Sequence, residues 1–193
     1  PAVRLHTLYT VRPDGRLDIS VSSERREDAP YLPRLGLRFC LLQGYEDLRY
    51  FGYGPTESYA DKRLAARLGD FCTTVDGEYV PYIRPQEHGA HDDCMAALLS
   101  HEQGRGLLFC GGPFSLTATH YSPEQLTACA HEWELHEEPE TTVIIGRQSG
   151  IGSNSCGPEL MEQYRLPRHL TIDFSVRPVM AGETDFPACL HRA

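Results

Sequence analysis

Nothing in this 193-residue chain is long and apolar enough to span a bilayer, and no charged leader with an apolar segment opens it. A surplus of positive charge is also missing. Lys and Arg number 18 against 27 Asp and Glu, a net charge of −9, so the long-range field repels nucleic acid and anionic membranes. A neutral or cationic partner fits better. Seven cysteines occur, at 40, 72, 94, 110, 129, 156 and 189, yet no Cys-x-x-Cys pair and no His-Glu-x-x-His spacing is found. That excludes the usual structural-zinc and metalloprotease signatures. An odd, scattered set of cysteines is expected to stay reduced, as small apolar fillers in a cytoplasmic protein. Internal repeats and low-complexity tracts are absent. Because the first residue is Pro1 rather than Met, the chain is expected to be a fragment or a processed piece.

What is present is ordinary globular composition, 40% hydrophobic and 23% charged, in a length that suits one domain over 1–193. Period-2 alternation dominates. In "RLDISVSS", Leu17, Ile19 and Val21 face one way. "HLTIDFSVRP" does the same with Leu170, Ile172, Phe174 and Val176, and "RLGLRFCLL" with Leu35, Leu37, Phe39 and Leu41. Strands with one wet face belong to antiparallel sheets. Pro13-Asp14-Gly15 predicts a hairpin and Asp76-Gly77 another. Ser122-Pro123-Glu124-Gln125 has the form of a capping box, predicting a helix to about His131, and a second helical turn is expected from Asp61 to Leu68, ending before Gly69. The fold class read from this is all-β, two packed antiparallel sheets with one or two short helices.

The segment "TTVIIGRQSGIGSNSCGPEL" (141–160) looks most like a binding loop. A phosphate loop would need a helix directly after Gly150 and Gly152, and Pro158 follows instead. Cys156 has no base beside it in sequence, so a packed thiol is favoured over a nucleophile. His88 and His91, next to Asp92 and Asp93, and His131 and His136 around Trp133, have ligand chemistry but no catalytic-metal spacing. Ordinary hydrogen-bonding histidines are the expectation. Tyr50, Phe51 and Tyr53 are equally suited to stacking on a sugar or packing a sheet. Glu57 and Glu87 are acids of the type a glycosidase pairs, with nothing in their spacing to pair them.

Four ordered segments carry more weight: "LPRLGLRF" (32–39), "YFGYGPTESYADKRLAA" (50–66), "VPYIRPQEHGAHDD" (80–93) and "RQSGIGSNSCGPEL" (147–160). Between the last two lies "FSLTATHYSPEQLTACAHEWEL" (114–135). The patterns Gly54-Pro55-x-Glu57-x-Tyr59-x-Asp61 and Pro81-Tyr82-x-x-Pro85-Gln86-Glu87-x-Gly89 are the specific parts. Together they resemble the C-terminal domain of glycoside hydrolase family 2 β-galactosidases, also called the β-galactosidase small chain. The resemblance covers roughly residues 3 to 178.

That resemblance implies a large antiparallel β-sandwich of the galactose-mutarotase-like kind, with further strands before the point matching Val3. The missing strands would leave an open edge or a bare face. It implies a parent glycoside hydrolase acting on β-D-galactosides such as lactose, with its acid/base and nucleophile glutamates on a separate TIM-type barrel. No catalytic residue and no cofactor is then expected in this chain. Mg2+ and Na+ would belong to the parent's barrel. The barrel would be a partner in cis or a separate subunit, and a homo-oligomer is left open. The domain's part would be a loop at the aglycone side of the active site, with Ser153, Asn154, Ser155 and Cys156 as substrate-binding candidates. Family members place a Trp platform where Cys156 stands. A stand-alone carbohydrate-binding module is the alternative, and an aldose-epimerase-like enzyme using His120 or His131 with Glu87 a more distant one.

Overall fold

The computed structural model describes residues 1–151, 157–180 and 186. Among these residues nine strands form one antiparallel sheet: β1 (Val3–Val11), β2 (Leu17–Arg25), β3 (Arg34–Leu41), β4 (Tyr45–Gly54), β5 (Arg67–Thr74), β6 (His91–His101), β7 (Arg105–Thr119), β8 (Thr141–Gln148) and β9 (His169–Met180). The main order is β1-β2-β9-β7-β6-β4-β5, and β8 branches from β7 carrying β3 on its other side. The alternating strands bury the predicted faces: Ile19, Val21, Ile172, Phe174 and Val176 are all core residues.

The branch turns one sheet into a sandwich. The first half of β7, to Gly111, pairs with β9, while Ser115 to Thr119 pair with β8. Between them Gly111 and Gly112 have φ of +119° and +96°. Only glycine takes that backbone readily, so the strand changes direction there. β8 and β3 consequently fold back over the rest. Phe39 of β3 meets Phe109 of β7 at 5.2 Å and Phe174 of β9 at 6.3 Å between ring centroids, both edge to face. Leu35, Leu37 and Leu41 pack against the same core. A smaller cluster of Ala96, Leu98, Leu108, Val179 and Phe186 covers the opposite face of β6, β7 and β9.

β1 is an edge strand. Register puts Tyr9 opposite Ile19 and Thr7 opposite Val21, so β1 extends the core face outward. Leu5, Tyr9 and Val11 on that face stay exposed.

Local expectations fared unevenly. Pro13-Asp14-Gly15 makes the β1–β2 hairpin with Gly15 at φ +81°. Asp76-Gly77 does not make a hairpin. β5 and β6 both pair with β4, on opposite sides, so their connection must cross β4 and needs more than a tight turn. Asp76–Glu78 forms a 3-10 turn at the start of that crossing. The helix α1 (Pro123–Ala128) starts as predicted, with the Ser122 hydroxyl accepting from Gln125 N. It stops short of His131: Cys129 is already extended, and Gln125 spends its side chain on the backbone of His136, holding the returning chain beside the helix. His131 instead begins a 3-10 turn over Glu132–Glu134. Residues 61–66 form turns rather than a helix, and Gly69 lies inside β5. Asp61, Lys62 and Arg63 are each drawn to a different partner, which leaves no common helical face.

Candidate functional site

The two specific motifs come together at the ends of β4 and β8. Glu57, whose side chain is 10% exposed, is the hub. One oxygen accepts from Lys62 Nζ at 2.5 Å and from the Tyr82 hydroxyl, and the other accepts from Gly89 N at 3.1 Å. A single carboxylate therefore joins the 54–61 segment to the 81–89 segment. Burial pushes its pKa up, but the Lys62, Tyr82 and Gly89 hydrogen bonds together outweigh that and hold it below the usual carboxylate range. Ser58 adds a second link: its N–H donates to Ala90 O, and its hydroxyl accepts from Asp92 N. Tyr59 is fully buried.

Asp61 completes the connection to the binding-loop segment. Its Oδ1 accepts from Ile151 N at 3.1 Å. A Cβ at Gly150 would stand 2.5 Å from the same oxygen, so glycine is what lets the loop root approach this closely. On the other side, Ser149 is buried, donates through its hydroxyl to Leu32 O at 2.8 Å and accepts from Leu166 N at 2.9 Å. Gly150 N donates to Tyr164 O. The 32–39 and 50–66 segments thus meet residues 149–151, and the 80–93 segment joins them through Asp93 on Arg147 and Gly89 on Glu57.

Charge surrounds this root. Arg147 of β8 and Arg63 both reach Asp93, at 3.0 and 2.6 Å, and Arg63 also reaches Asp92 at 3.3 Å. Asp93 takes a φ of +50° to do so. Burial, then the neighbouring Asp93, raises the Asp92 carboxyl above its ordinary value. Arg63 lies over the Tyr53 ring at 4.8 Å.

The other sequence candidates are spoken for. Glu87 accepts from Arg34 at 2.5 Å and from Thr117 at 2.9 Å. His91 is fully buried, stacks on Tyr50 at 4.0 Å, and bonds Tyr53 O and Glu78 at 3.0 and 2.6 Å. His88 donates to Gln86 O and does not join His91 in a ligand set. His131 stacks on exposed Trp133, and His120 bonds Glu46 rather than Glu87. Tyr50 is core, not a sugar platform. Ser153, Asn154, Ser155 and Cys156 lie outside the described residues. Arg63, Arg147 and Asp61 were not singled out as site residues by sequence reasoning. Asp61 stands inside the first motif, but its partner is 90 residues away.

Comparison with known proteins identifies the family. The family model for the β-galactosidase small chain matches residues 1–177, and the chain belongs to that family. A β-galactosidase of Staphylococcus xylosus is 43% identical over 171 residues, which is 88% of this chain and 17% of that protein. One from Actinobacillus pleuropneumoniae is 39% identical over 171 residues, 88% of this chain and 16% of its own length. The β-galactosidase BgaC of Bifidobacterium adolescentis is 32% identical over 167 residues, again 16% of its length. The chain therefore spans less than a fifth of the relatives it matches.

Proposed function

We propose that this chain is a non-catalytic part of a β-galactosidase and that its 149–157 segment lends polar contacts to the aglycone side of the parent enzyme's sugar site. The observation that carries the reading is the braced loop root: Asp61 of the first motif holds Ile151 N, and Glu57 of the same motif is bound to Tyr82 and Gly89 of the second. Glu57 and Glu87, the acids a glycosidase could pair, are each committed to a cation, Lys62 and Arg34. Catalytic carboxylates then come from a barrel partner, in cis or as a separate subunit, together with any Mg2+ or Na+. Ser153, Asn154 and Ser155 supply hydrogen bonds to the departing sugar, and Cys156 occupies the place of an aromatic platform.

The test is Asn154→Ala in the full-length enzyme. KM for lactose rises several-fold while inhibition by galactose, which fills the other subsite, is unchanged. Equal effects on both, or none, would refute an aglycone role. The chain assayed alone shows no turnover.

A further inference from the structure

At the far end of β4 and β8 from the loop root lies a second polar cluster that the β-galactosidase reading does not use. His120 follows β7, Glu46 begins β4, and Asp76 sits in the 3-10 turn after β5. Each offers one ligand atom, and those atoms all lie within 4.8 Å of one another. His120 Nε2 is 2.7 Å from Glu46 Oε2 and 3.7 Å from Asp76 Oδ1. The other imidazole nitrogen, Nδ1, is 3.3 Å from Glu140 O. The Glu140 carbonyl accepts from Nδ1–H, so Nε2, which donates to Glu46 in the metal-free chain, is the nitrogen that would give up its proton to an incoming ion, the second-shell arrangement of metal-binding histidines.

The cluster opens on a cavity of about 220 Å³, lined by Asp76, Tyr79, Thr119, His120, Tyr121 and Glu137. Hydroxyl and carboxylate oxygens thus surround the space beyond the three ligands, where bound water would sit. Glu46 is already braced, since its second oxygen accepts from Asp76 N at 2.9 Å and its carbonyl from Val75 N. Two ligands are therefore held at fixed separation by one turn of backbone.

We infer that His120, Glu46 and Asp76 form a site for a first-row divalent transition metal, with Zn2+ or Mn2+ the best-matched ions. One imidazole and two carboxylates with open positions is a donor set for such ions rather than for Mg2+ or Ca2+, which take oxygen alone. Ligands about 2.0–2.2 Å from a central ion stand roughly 3.2–3.6 Å apart. The Asp76 oxygen, 3.7 Å from Nε2, lies just outside that spacing, and the Glu46 oxygen, at 2.7 Å, need retreat by roughly 0.5–0.9 Å. An ion here would clip β4, the 76–78 turn and the end of β7 together. The role is structural, and the site stands whether or not the loop touches sugar.

Chelator-treated 193-residue chain titrated with Co2+ tests the assignment, because Co2+ reports its ligands in its spectrum. One equivalent should give d–d bands without a thiolate charge-transfer band, and raise the melting temperature. Asp76→Asn, on a side chain 67% exposed, leaves the fold intact and should weaken binding at least tenfold, as should His120→Gln. A charge-transfer band would place the ion on cysteine and overturn the site. Equal affinity in both variants, or no saturable binding, would do the same.

Discussion

Glu57→Gln is the sharpest test of the motif hub. The wild-type carboxylate accepts from Lys62, Tyr82 and Gly89 N at a side chain 10% exposed. Glutamine keeps the shape but turns one acceptor into a donor. That amide must face either Lys62 and Tyr82 or Gly89 N, so at least one charge-assisted bond is lost. Such bonds are worth about 1.5–3 kcal/mol. Lys62 is 40% exposed, so solvent screening takes its share down, and a loss of about 2 kcal/mol is expected. At about 2–4 °C per kcal/mol for a domain of this size, the melting temperature falls by about 4–8 °C at pH 7. The pH dependence follows from the direction of the shift. Glu57 has a folded pKa below its unfolded value, so its stabilisation is complete above the ordinary carboxylate range, near 4.3, and disappears as pH falls through the lower folded value. Thermal melts of both proteins by circular dichroism, from pH 7 down to pH ~3, should therefore converge. A gap that stays constant over that range, or no gap at pH 7, would refute the assignment of Glu57 as an ionised clamp.

Two further outcomes follow from the fold. Gly112→Ala should cost about 2–4 kcal/mol in denaturant unfolding, from left-handed strain plus a Cβ 2.6 Å from Cys94 O, whereas Gly15→Ala, with φ +81° and nothing within 4 Å, should cost only about 1 kcal/mol. Equal costs would contradict a steric need at the fold-back. Burial pushes the Cys94 thiol well above its usual range while Cys40 and Cys72 are exposed, so iodoacetamide followed by peptide mass spectrometry should label Cys40 and Cys72 in the native protein and Cys94 only on unfolding. Native labelling of Cys94 at the rate of Cys40 would place it outside the core.

The parts legible in the sequence are those that depend on near neighbours. Alternation in β2, β3 and β9 announced their buried faces, and Ser122 announced α1, because both signals lie within a few residues. The misread hairpin at Asp76-Gly77 had correct turn chemistry. What decided against it was that β4 sits between β5 and β6, a fact of pairing that no local window contains. The same holds for the site. Glu57 and Asp61 stood out as motif residues, but their roles depend on Gly89 and Ile151, 32 and 90 residues further on. His120 and Glu46 are separated by 74 residues and share no motif, so the metal cluster left no trace in the one-dimensional pattern.

On the proposed function, the braced root gives a reason why so polar a loop would be worth building. A Gly- and Ser-rich segment is costly to order, since each residue fixed loses about 1–2 kcal/mol of backbone freedom. If that cost fell at the moment of sugar binding, a few hydrogen bonds could not offset it. Here the entry at Ser149 to Ile151 is fixed beforehand by the Leu32, Leu166, Tyr164 and Asp61 contacts. The neighbouring segments are braced as well, by the Glu57–Gly89 bond and by Arg63 and Arg147 on Asp93. On this reasoning the domain's contribution to the parent enzyme is preorganisation. Loosening the root, as Glu57→Gln does, should weaken lactose binding in the full-length enzyme without altering the chemical step.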